Sequence, residues 1–136
     1  MKYLLITKKI WLKKNYINLN KKIFIRNEVN QKEIELLKPK IIFFLHWSKL
    51  IPKKLYDKYL CIQFHSSDLP KFRGGSPVQN QIQNNIIKTK LTAFKIEQGF
   101  DTGKVCMKEK LSLAGNAQDI FQRIEKISLK MINKII

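Results

Sequence analysis

The sequence feature that most constrains the fold is a pair of short apolar runs, Lys40–Leu45 (KIIFFL) and Leu60–Phe64 (LCIQF). A run that is apolar at nearly every position, rather than at alternate ones, is typical of a strand covered on both faces, as in a parallel sheet. The segment Pro52–Tyr59 between the two runs has the length of a short helix. Because strand, helix and strand in this order form a βαβ unit, the pattern predicts an α/β protein.

The rest of the chain continues this alternation of strands and helices. An antiparallel pair of strands is expected at the turn Gly99–Gly103. Ser76 is expected to cap a helix that has Pro77 at its first position and runs to about Asn85. The remaining segments are strands at Met1–Thr7, Lys22–Arg26, Leu91–Glu97 and Lys104–Lys108, and helices at Gln31–Lys38 and from Asn116 onward, the last with Ile120, Phe121, Ile124, Ile127, Met131 and Ile135 on one face. We expect a three-layer Rossmann-like sandwich with a mostly parallel, partly mixed sheet and helices on both faces.

The net charge of +17 raises the question of a nucleic-acid partner. Residues 1–60 hold 15 Lys and Arg against 4 Asp and Glu, and residues 61–136 hold 12 against 6. The basic residues are spread in pairs and never form a block of five, so nucleic-acid binding is possible but not favoured, and a compositional bias of the source genome is the alternative. A positive field would in either case attract anionic substrates.

Two further observations bear on the cellular compartment. Cys61 and Cys106 are too few to suggest a disulfide framework. The apolar stretch that begins the chain stops at Thr7, which is too short for a signal peptide or for a membrane span of about 20 residues. We expect a cytoplasmic protein without a membrane partner.

The segment His65–Gly75 is where a ligand is expected. His65 follows directly on an apolar strand, and ligands of open α/β sheets collect outside the carboxyl ends of the strands. Gln63 and His65 project from the same face of that strand because side chains alternate. Gly74 and Gly75 precede a helix, so the backbone can approach a ligand closely there. These residues predict a pocket and leave its reaction open.

The run HSSDLPKFRGGSPVQ resembles the signature of the folate-dependent formyltransferases, roughly His-x-Ser-Leu-Leu-Pro-x-x-Arg-Gly-x-x-Pro. A second run, Glu97–Gly103 (EQGFDTG), is similar to the Gly-x-Asp-Thr-Gly turn of that family. The separation of 36 residues between His65 and Asp101 is also that of the family. The positions that match the first signature in order and without a gap are His65, Ser67, Leu69, Pro70, Arg73, Gly74 and Pro77.

The resemblance implies transfer of a formyl group from 10-formyltetrahydrofolate to a primary amine. His65 would be the catalytic imidazole, which donates to the oxyanion or helps to move the proton, and Asp101 its carboxylate partner, which orients the imidazole and can relay the proton of the attacking amine. The family has an asparagine where this chain has Gln63. Glutamine keeps the amide donor but reaches about 1 Å further, so Gln63 is either the third catalytic residue or a strand residue paired with backbone or water.

Other residues receive roles from their positions and their side-chain chemistry. His46 and Trp47 follow the KIIFFL strand and are expected to bind the folate together with Asp101, with plain packing as the alternative for Trp47. Ser67, Arg73, Gly74 and Gly75 are expected to contact the substrate. Arg73 could instead pair with Asp68 in the loop, and Ser67 hydrogen-bonds rather than acts as a nucleophile, since no Gly-x-Ser-x-Gly turn surrounds it. No spacing of His and Cys predicts a metal site.

Residues 1–136 are then expected to form a single formyltransferase-like catalytic domain with a shortened N-terminal region and no C-terminal domain. Because members that act on tRNA carry a C-terminal domain, a small-molecule amine is expected as acceptor, with a nucleotide-linked amino sugar first. The alternatives are an activity like that of methionyl-tRNA formyltransferase, and a shortened non-catalytic relative that only binds folate or nucleotide. A basic RNA-binding domain is the remaining hypothesis.

Overall fold

The computed structural model describes residues 1–8, 20–99 and 101–136. Its centre is a six-stranded sheet in the order β2-β1-β3-β4-β5-β6. The first four strands are parallel, and β5 and β6 continue the sheet antiparallel. Their bounds are β1 Tyr3–Thr7, β2 Ile23–Arg26, β3 Ile41–Leu45, β4 Leu60–His65, β5 Lys88–Lys95 and β6 Val105–Ser112.

Helices cover both faces of this sheet, which confirms the predicted three-layer architecture. They are α1 Gln31–Leu37, α2 Lys53–Lys58, α3 Pro77–Gln83 and α4 Ala117–Ile135. One apolar core contains Leu5, Phe43 and Ile62 of the sheet with Ile124 of α4, and the other contains residues of β1 and β3 with Leu55 of α2. The runs KIIFFL and LCIQF have side chains in both cores because β3 and β4 lie inside the sheet.

The structure corrects two details of the predicted elements. Ser76 occupies the N-cap position of α3 but has a left-handed backbone (φ 55°), and its side chain makes no capping hydrogen bond. Both strands of the antiparallel pair are longer than predicted, because β5 begins at Lys88 and β6 ends at Ser112. These extra residues are largely polar, so hydrophobic periodicity gave no signal for them. Asn116 does cap α4, in a capping box with Asp119.

No helix among the described residues has both the length and the apolar character needed to cross a bilayer.

Candidate active site

A cavity of about 380 Å³ opens outside the carboxyl ends of β3 and β4. Its wall combines the segment that follows β3, the loop that follows β4, the start of α3 and one side of α4. Gln63, His65, Gly74, Gly75 and Asp101 all line it, although they come from three separate segments. The sheet therefore brings together most of the predicted site residues.

His65 is held between two acceptors. It is buried at the end of β4, and its Nε2 lies 2.7 Å from the carbonyl oxygen of Phe72. A carbonyl can only accept, so Nε2 carries the hydrogen of this bond. The other ring nitrogen, Nδ1, lies 3.5 Å from Oδ2 of Asp101. That distance exceeds an ordinary N–H···O bond of about 2.7–3.2 Å, so a small polar atom near both groups could contact each of them.

Asp101 is fixed by backbone rather than by another side chain. Its Oδ2 accepts a hydrogen bond of 2.8 Å from the N–H of Gly74, which joins the β5–β6 turn to the loop after β4. Asp101 itself has a left-handed backbone (φ 53°), a conformation that aspartate tolerates better than most residues. At the end of the same turn, a Cβ on Gly103 would overlap the carbonyl oxygen of Lys95. Gly103 is thus a geometric requirement of this turn, and aspartate is compatible with the backbone at position 101.

The amide of Gln63 is partly committed to the backbone. Its Nε2 donates a hydrogen bond of 3.0 Å to the carbonyl oxygen of Trp47, the residue two positions beyond β3. The extra methylene of glutamine gives the side chain the reach for this bond. The interpretation of Gln63 as a strand residue paired with backbone is therefore supported. An amide nitrogen has two hydrogens, however, and Gln63 also lines the cavity.

His46 and Trp47 both line the cavity, as the folate-binding hypothesis requires. His46 has a left-handed backbone (φ 53°), and its Nε2 lies 4.0 Å from Oε2 of the fully buried Glu125 on α4. The ring of Trp47 packs against Phe44 at 5.8 Å, and Nζ of Lys8 lies 5.4 Å from its centroid. Trp47 thus combines packing with a place in the cavity wall, and sequence gave no signal for Glu125.

Two of the predicted substrate contacts lie away from the cavity wall. Ser67 is fully buried, and its hydroxyl donates a hydrogen bond of 2.6 Å to the carbonyl oxygen of Lys71, so it shapes the loop. Arg73 is exposed and does not line the cavity. The alternative ion pair between Arg73 and Asp68 is wrong, because Asp68 pairs with Nζ of Lys108 on β6 at 2.6 Å. The hydrogen bond from Lys108 holds the pKa of the Asp68 carboxyl below its usual range.

The loop after β4 is held by three residues that sequence reasoning missed. Gln81 of α3 is buried, and its Nε2 donates to the carbonyl oxygens of Ser66 and Pro77 at 2.6 and 2.9 Å. The hydroxyl of Thr92 on β5 donates to the carbonyl oxygen of Ser67 at 2.7 Å, and Lys108 donates to that of Leu69 at 2.7 Å. A polar residue at a buried helix or strand position is the signal that could have identified Gln81 and Thr92.

The part of the chain that the structure describes has no group of three His, Cys, Asp or Glu residues that could hold a metal ion. Cys61 is buried and Cys106 exposed, and both are free thiols. Burial raises the pKa of the Cys61 thiol to about 12.

A Rossmann-like sheet with an imidazole and a carboxylate 3.5 Å apart in the crevice at its carboxyl edge defines an α/β protein with a candidate active site. The family model described as formyl transferase matches residues 6–135, and the chain belongs to that family. The chain is similar to the methionyl-tRNA formyltransferases of Campylobacter lari, at 32% identity over 84% of this chain, and of Endomicrobium trichonymphae, at 36% over 65%. It spans 39% and 30% of the lengths of those relatives.

Solved structures agree with this assignment. Methionyl-tRNA formyltransferase from Clostridium thermocellum superimposes with a TM-score of 0.88 at 38% identity, covering 99% of this chain and 64% of that one. HypX from Aquifex aeolicus in complex with tetrahydrofolic acid has a TM-score of 0.77 at 16% identity, covering 99% of this chain and 27% of that one. A protein from Mycobacterium tuberculosis described as a likely sugar N-formyltransferase has a TM-score of 0.74 at 15% identity, covering 98% of this chain and 67% of that one. The last two likenesses show the fold alone.

Proposed function

We propose that this chain transfers a formyl group from 10-formyltetrahydrofolate to a primary amine, with His65 and Asp101 at the reacting centre. The observation that carries the proposal is the placement of His65, buried at the cavity between the Phe72 carbonyl and the Asp101 carboxylate. Membership of the formyl transferase family supports the same reaction class.

The geometry gives each nitrogen of His65 a separate task. The bond from Nε2 to the Phe72 carbonyl fixes the ring, so Nδ1 is the nitrogen that can exchange a proton with a ligand. An attacking amine near both Nδ1 and Asp101 would be oriented by the carboxylate and could pass its proton to either group. As the new bond from the amine to the formyl carbon forms, the bond from that carbon to N10 of the folate would break, and the same proton could be returned to N10. Positioned proton transfer of this kind contributes about 10²–10⁴ to a rate.

Gln63 is the donor best placed for the oxygen of the formyl group. One hydrogen of its amide is bound to the Trp47 carbonyl, and the second remains on the same nitrogen. Fixing the amide through Trp47 keeps this donor from rotating, which is the preorganisation that electrostatic catalysis requires. In this proposal the bond to the backbone positions Gln63 and is compatible with catalysis.

The cavity has the volume and the lining that a small-molecule donor requires. A volume of about 380 Å³ lies in the range of small-molecule sites. Apolar side chains such as Leu50, Ile51 and Phe94 line it, and Trp47 Nε1 is buried without a hydrogen-bond partner among the described residues. These residues, with His46, would hold the heterocycle, and the folate would supply the formyl carbon.

Methionyl-tRNA is the acceptor that the comparisons support best. Relatives at 32–38% identity carry that name, whereas the sugar N-formyltransferase structure is only 15% identical. Methionyl-tRNA therefore replaces the nucleotide-linked amino sugar, which was expected from the sequence, as the preferred acceptor. The net charge of +17 also suits a polyanionic acceptor.

The test is formyl transfer from 10-formyltetrahydrofolate, followed by mass spectrometry, with methionyl-tRNA and nucleotide-linked amino sugars offered in parallel. His65→Ala and Asp101→Asn should each lower kcat/KM by about 10²–10⁴. Asp57→Asn, which changes an exposed carboxylate on α2, is the matched control and should retain activity. Undiminished transfer in Asp101→Asn would overturn the assignment of the site. Folate binding without transfer to any acceptor would instead identify a non-catalytic relative.

A further inference from the structure

Five lysines form a continuous basic surface beside the candidate active site. Lys88 and Lys90 alternate along β5, Lys108 and Lys110 alternate along β6, and Lys71 comes from the loop after β4. We call this set the basic face. Lys90 lies directly opposite Lys110 in the antiparallel register, and Lys108 lies opposite Thr92. Because residues two apart point to the same side of a strand, the four strand lysines share one face of the sheet.

The contacts of Asp68 show that three of the five lysines lie close together. Lys108 is hydrogen-bonded to its carboxylate, and Lys90 and Lys71 are near enough to act on it electrostatically. Asp68 is the one acidic side chain for which the described structure gives such contacts with this face. The basic face therefore keeps a substantial excess of positive charge.

Stability of the fold does not account for this arrangement. Like charges placed directly opposite each other on paired strands are destabilising, and Lys90 and Lys110 are such a pair. Lysines on an edge strand do discourage aggregation, and β6 is at the edge of the sheet. β4 pairs with β5 only at Thr92–Lys95, so Lys88 and Lys90 also have no strand partner on that side among the described residues. Edge protection does not require Lys90 to lie opposite Lys110, however, and it does not extend to Lys71 in the loop.

The basic face is joined to the candidate active site through the loop after β4. Lys108 donates to Asp68 and to the carbonyl oxygen of Leu69 on one side of the loop. On the other side, the carbonyl oxygen of Phe72 holds His65, and the N–H of Gly74 holds Asp101. A polyanion on the basic face would thus lie next to the loop that forms one wall of the cavity.

We propose that the basic face binds the phosphate backbone of an RNA, and that it holds the body of the acceptor while the amine enters the cavity. The proposal rests on the function proposed above, in which the acceptor is a charged tRNA. Two rows of lysines along neighbouring strands suit a run of phosphates better than a single small anion. Contacts of this kind position the nucleic acid without reading its sequence.

The test measures binding separately from catalysis. Fluorescence anisotropy with labelled, uncharged tRNA requires neither the folate nor a reactive amine. The triple variant Lys88→Gln, Lys90→Gln, Lys110→Gln spares Lys108, which holds the loop. Its dissociation constant should rise by about one order of magnitude, and the slope of log K against log[salt] should become shallower by about two. The matched control changes three exposed lysines elsewhere to glutamine, Lys21, Lys32 and Lys54, and should alter both values less.

Three outcomes would overturn the proposal. The first is equal loss of RNA affinity in the basic-face variant and in the control. The second is unchanged affinity together with aggregation of the basic-face variant in size-exclusion chromatography, which would assign these lysines to edge protection. The third is tighter binding to phosphatidylserine vesicles than to tRNA. The corresponding triple arginine variant keeps the charges and should bind as the unchanged chain does.

This experiment also separates the two proposals. If the basic-face variant formylates methionyl-tRNA as well as the unchanged chain does, the RNA-binding proposal is overturned and the proposed reaction stands. If tRNA binding depends on the basic face but no acceptor is formylated, the proposed reaction is overturned and the RNA-binding proposal stands. If the triple variant is poorly folded, Lys90→Gln alone relieves the opposed pair with Lys110 and tests the same affinity.

Discussion

At the scale of single residues, the candidate active site depends on side chains whose partners are backbone atoms. His65 is fixed by a carbonyl, Asp101 by an N–H, and Gln63 by a carbonyl. Backbone partners move only when the loops that contain them move. The geometry of the site is therefore as rigid as the loop after β4 and the turn between β5 and β6.

Gln63 gives the first prediction at this scale. Gln63→Ala removes the amide and should lower kcat/KM for formyl transfer by about 10²-fold or more, as loss of one oxyanion donor does elsewhere. Gln63→Asn keeps an amide with a shorter reach and should retain more activity than Gln63→Ala. Steady-state kinetics of both variants decide the matter, and equal activity in Gln63→Ala and the unchanged chain would show that the amide has no catalytic role.

At the scale of elements, the loop after β4 is held by α3, β5 and β6 together. Gln81, Thr92 and Lys108 each supply one anchor, and each donates to a different loop carbonyl. The sequence motif itself supplies the internal bond from Ser67 to Lys71. The run of residues that matches the family signature is thus only part of what gives the loop its shape.

Gln81→Ala tests this element directly. The substitution leaves the carbonyl oxygens of Ser66 and Pro77 without their buried donor, so the free energy of unfolding should fall by about 1–3 kcal/mol. Gln83→Ala, at an exposed position of the same helix, is the matched control and should change stability by less than about 0.5 kcal/mol. Urea denaturation of both variants measures the difference, and equal effects would contradict a special role for Gln81.

The ion pair of Asp68 predicts a pH dependence for the same loop. Lys108 lowers the pKa of the Asp68 carboxyl in the folded chain, so the pair adds stability above the unfolded pKa of about 3.9. That contribution is lost as the pH falls through the lower, folded value. NMR titration of the Asp68 carboxyl should show a pKa below its ordinary value, and Lys108→Gln should raise it. A titration that Lys108→Gln leaves unchanged would contradict the pairing.

At the scale of the whole molecule, the sheet separates two apolar cores. The reactivity of the Cys61 thiol measures whether one of these cores is open to solvent. Cys61 is buried within the core that contains α2, and its pKa is raised to about 12 by burial, whereas Cys106 is exposed on β6. Because the thiolate is the reactive form, Cys61 should react with iodoacetamide only when the chain unfolds.

Mass spectrometry of alkylated chains should therefore find one modification, at Cys106, under native conditions and two in urea. The Cys106→Ser variant should remain unmodified until the unfolding transition. Rapid native labelling of Cys61 in that variant would show that the core around α2 opens without global unfolding.

Sequence predicted the interior of this fold better than its edges. The parallel strands β3 and β4 were predictable because KIIFFL and LCIQF are apolar on both faces. The full length of β5 and β6 was not, because their outer residues, which include Lys88, Lys90 and Lys110, are largely polar. Hydrogen bonding between neighbouring strands, rather than burial, keeps those residues in the sheet.

The same distinction applies to the site. His65 and Asp101 were identified through two motifs, and the structure brings them within 3.5 Å. The partner of Asp68 was missed because Lys108 lies 40 residues further along the chain and becomes a neighbour only through the pairing of β5 with β6. Glu125 was missed because a single acidic residue on a helix carries no sign of being buried.

The junction between the parallel and antiparallel parts of the sheet has a consequence for folding kinetics. His65 ends the last parallel strand, and Asp101 lies beyond β5, which pairs with β4 in the opposite direction. Contacts between segments distant in sequence form only after the intervening chain has been ordered. The reacting pair is therefore assembled only once the hairpin has docked, and recovery of activity during refolding should follow the docking of β5 onto β4 rather than the collapse of the parallel core.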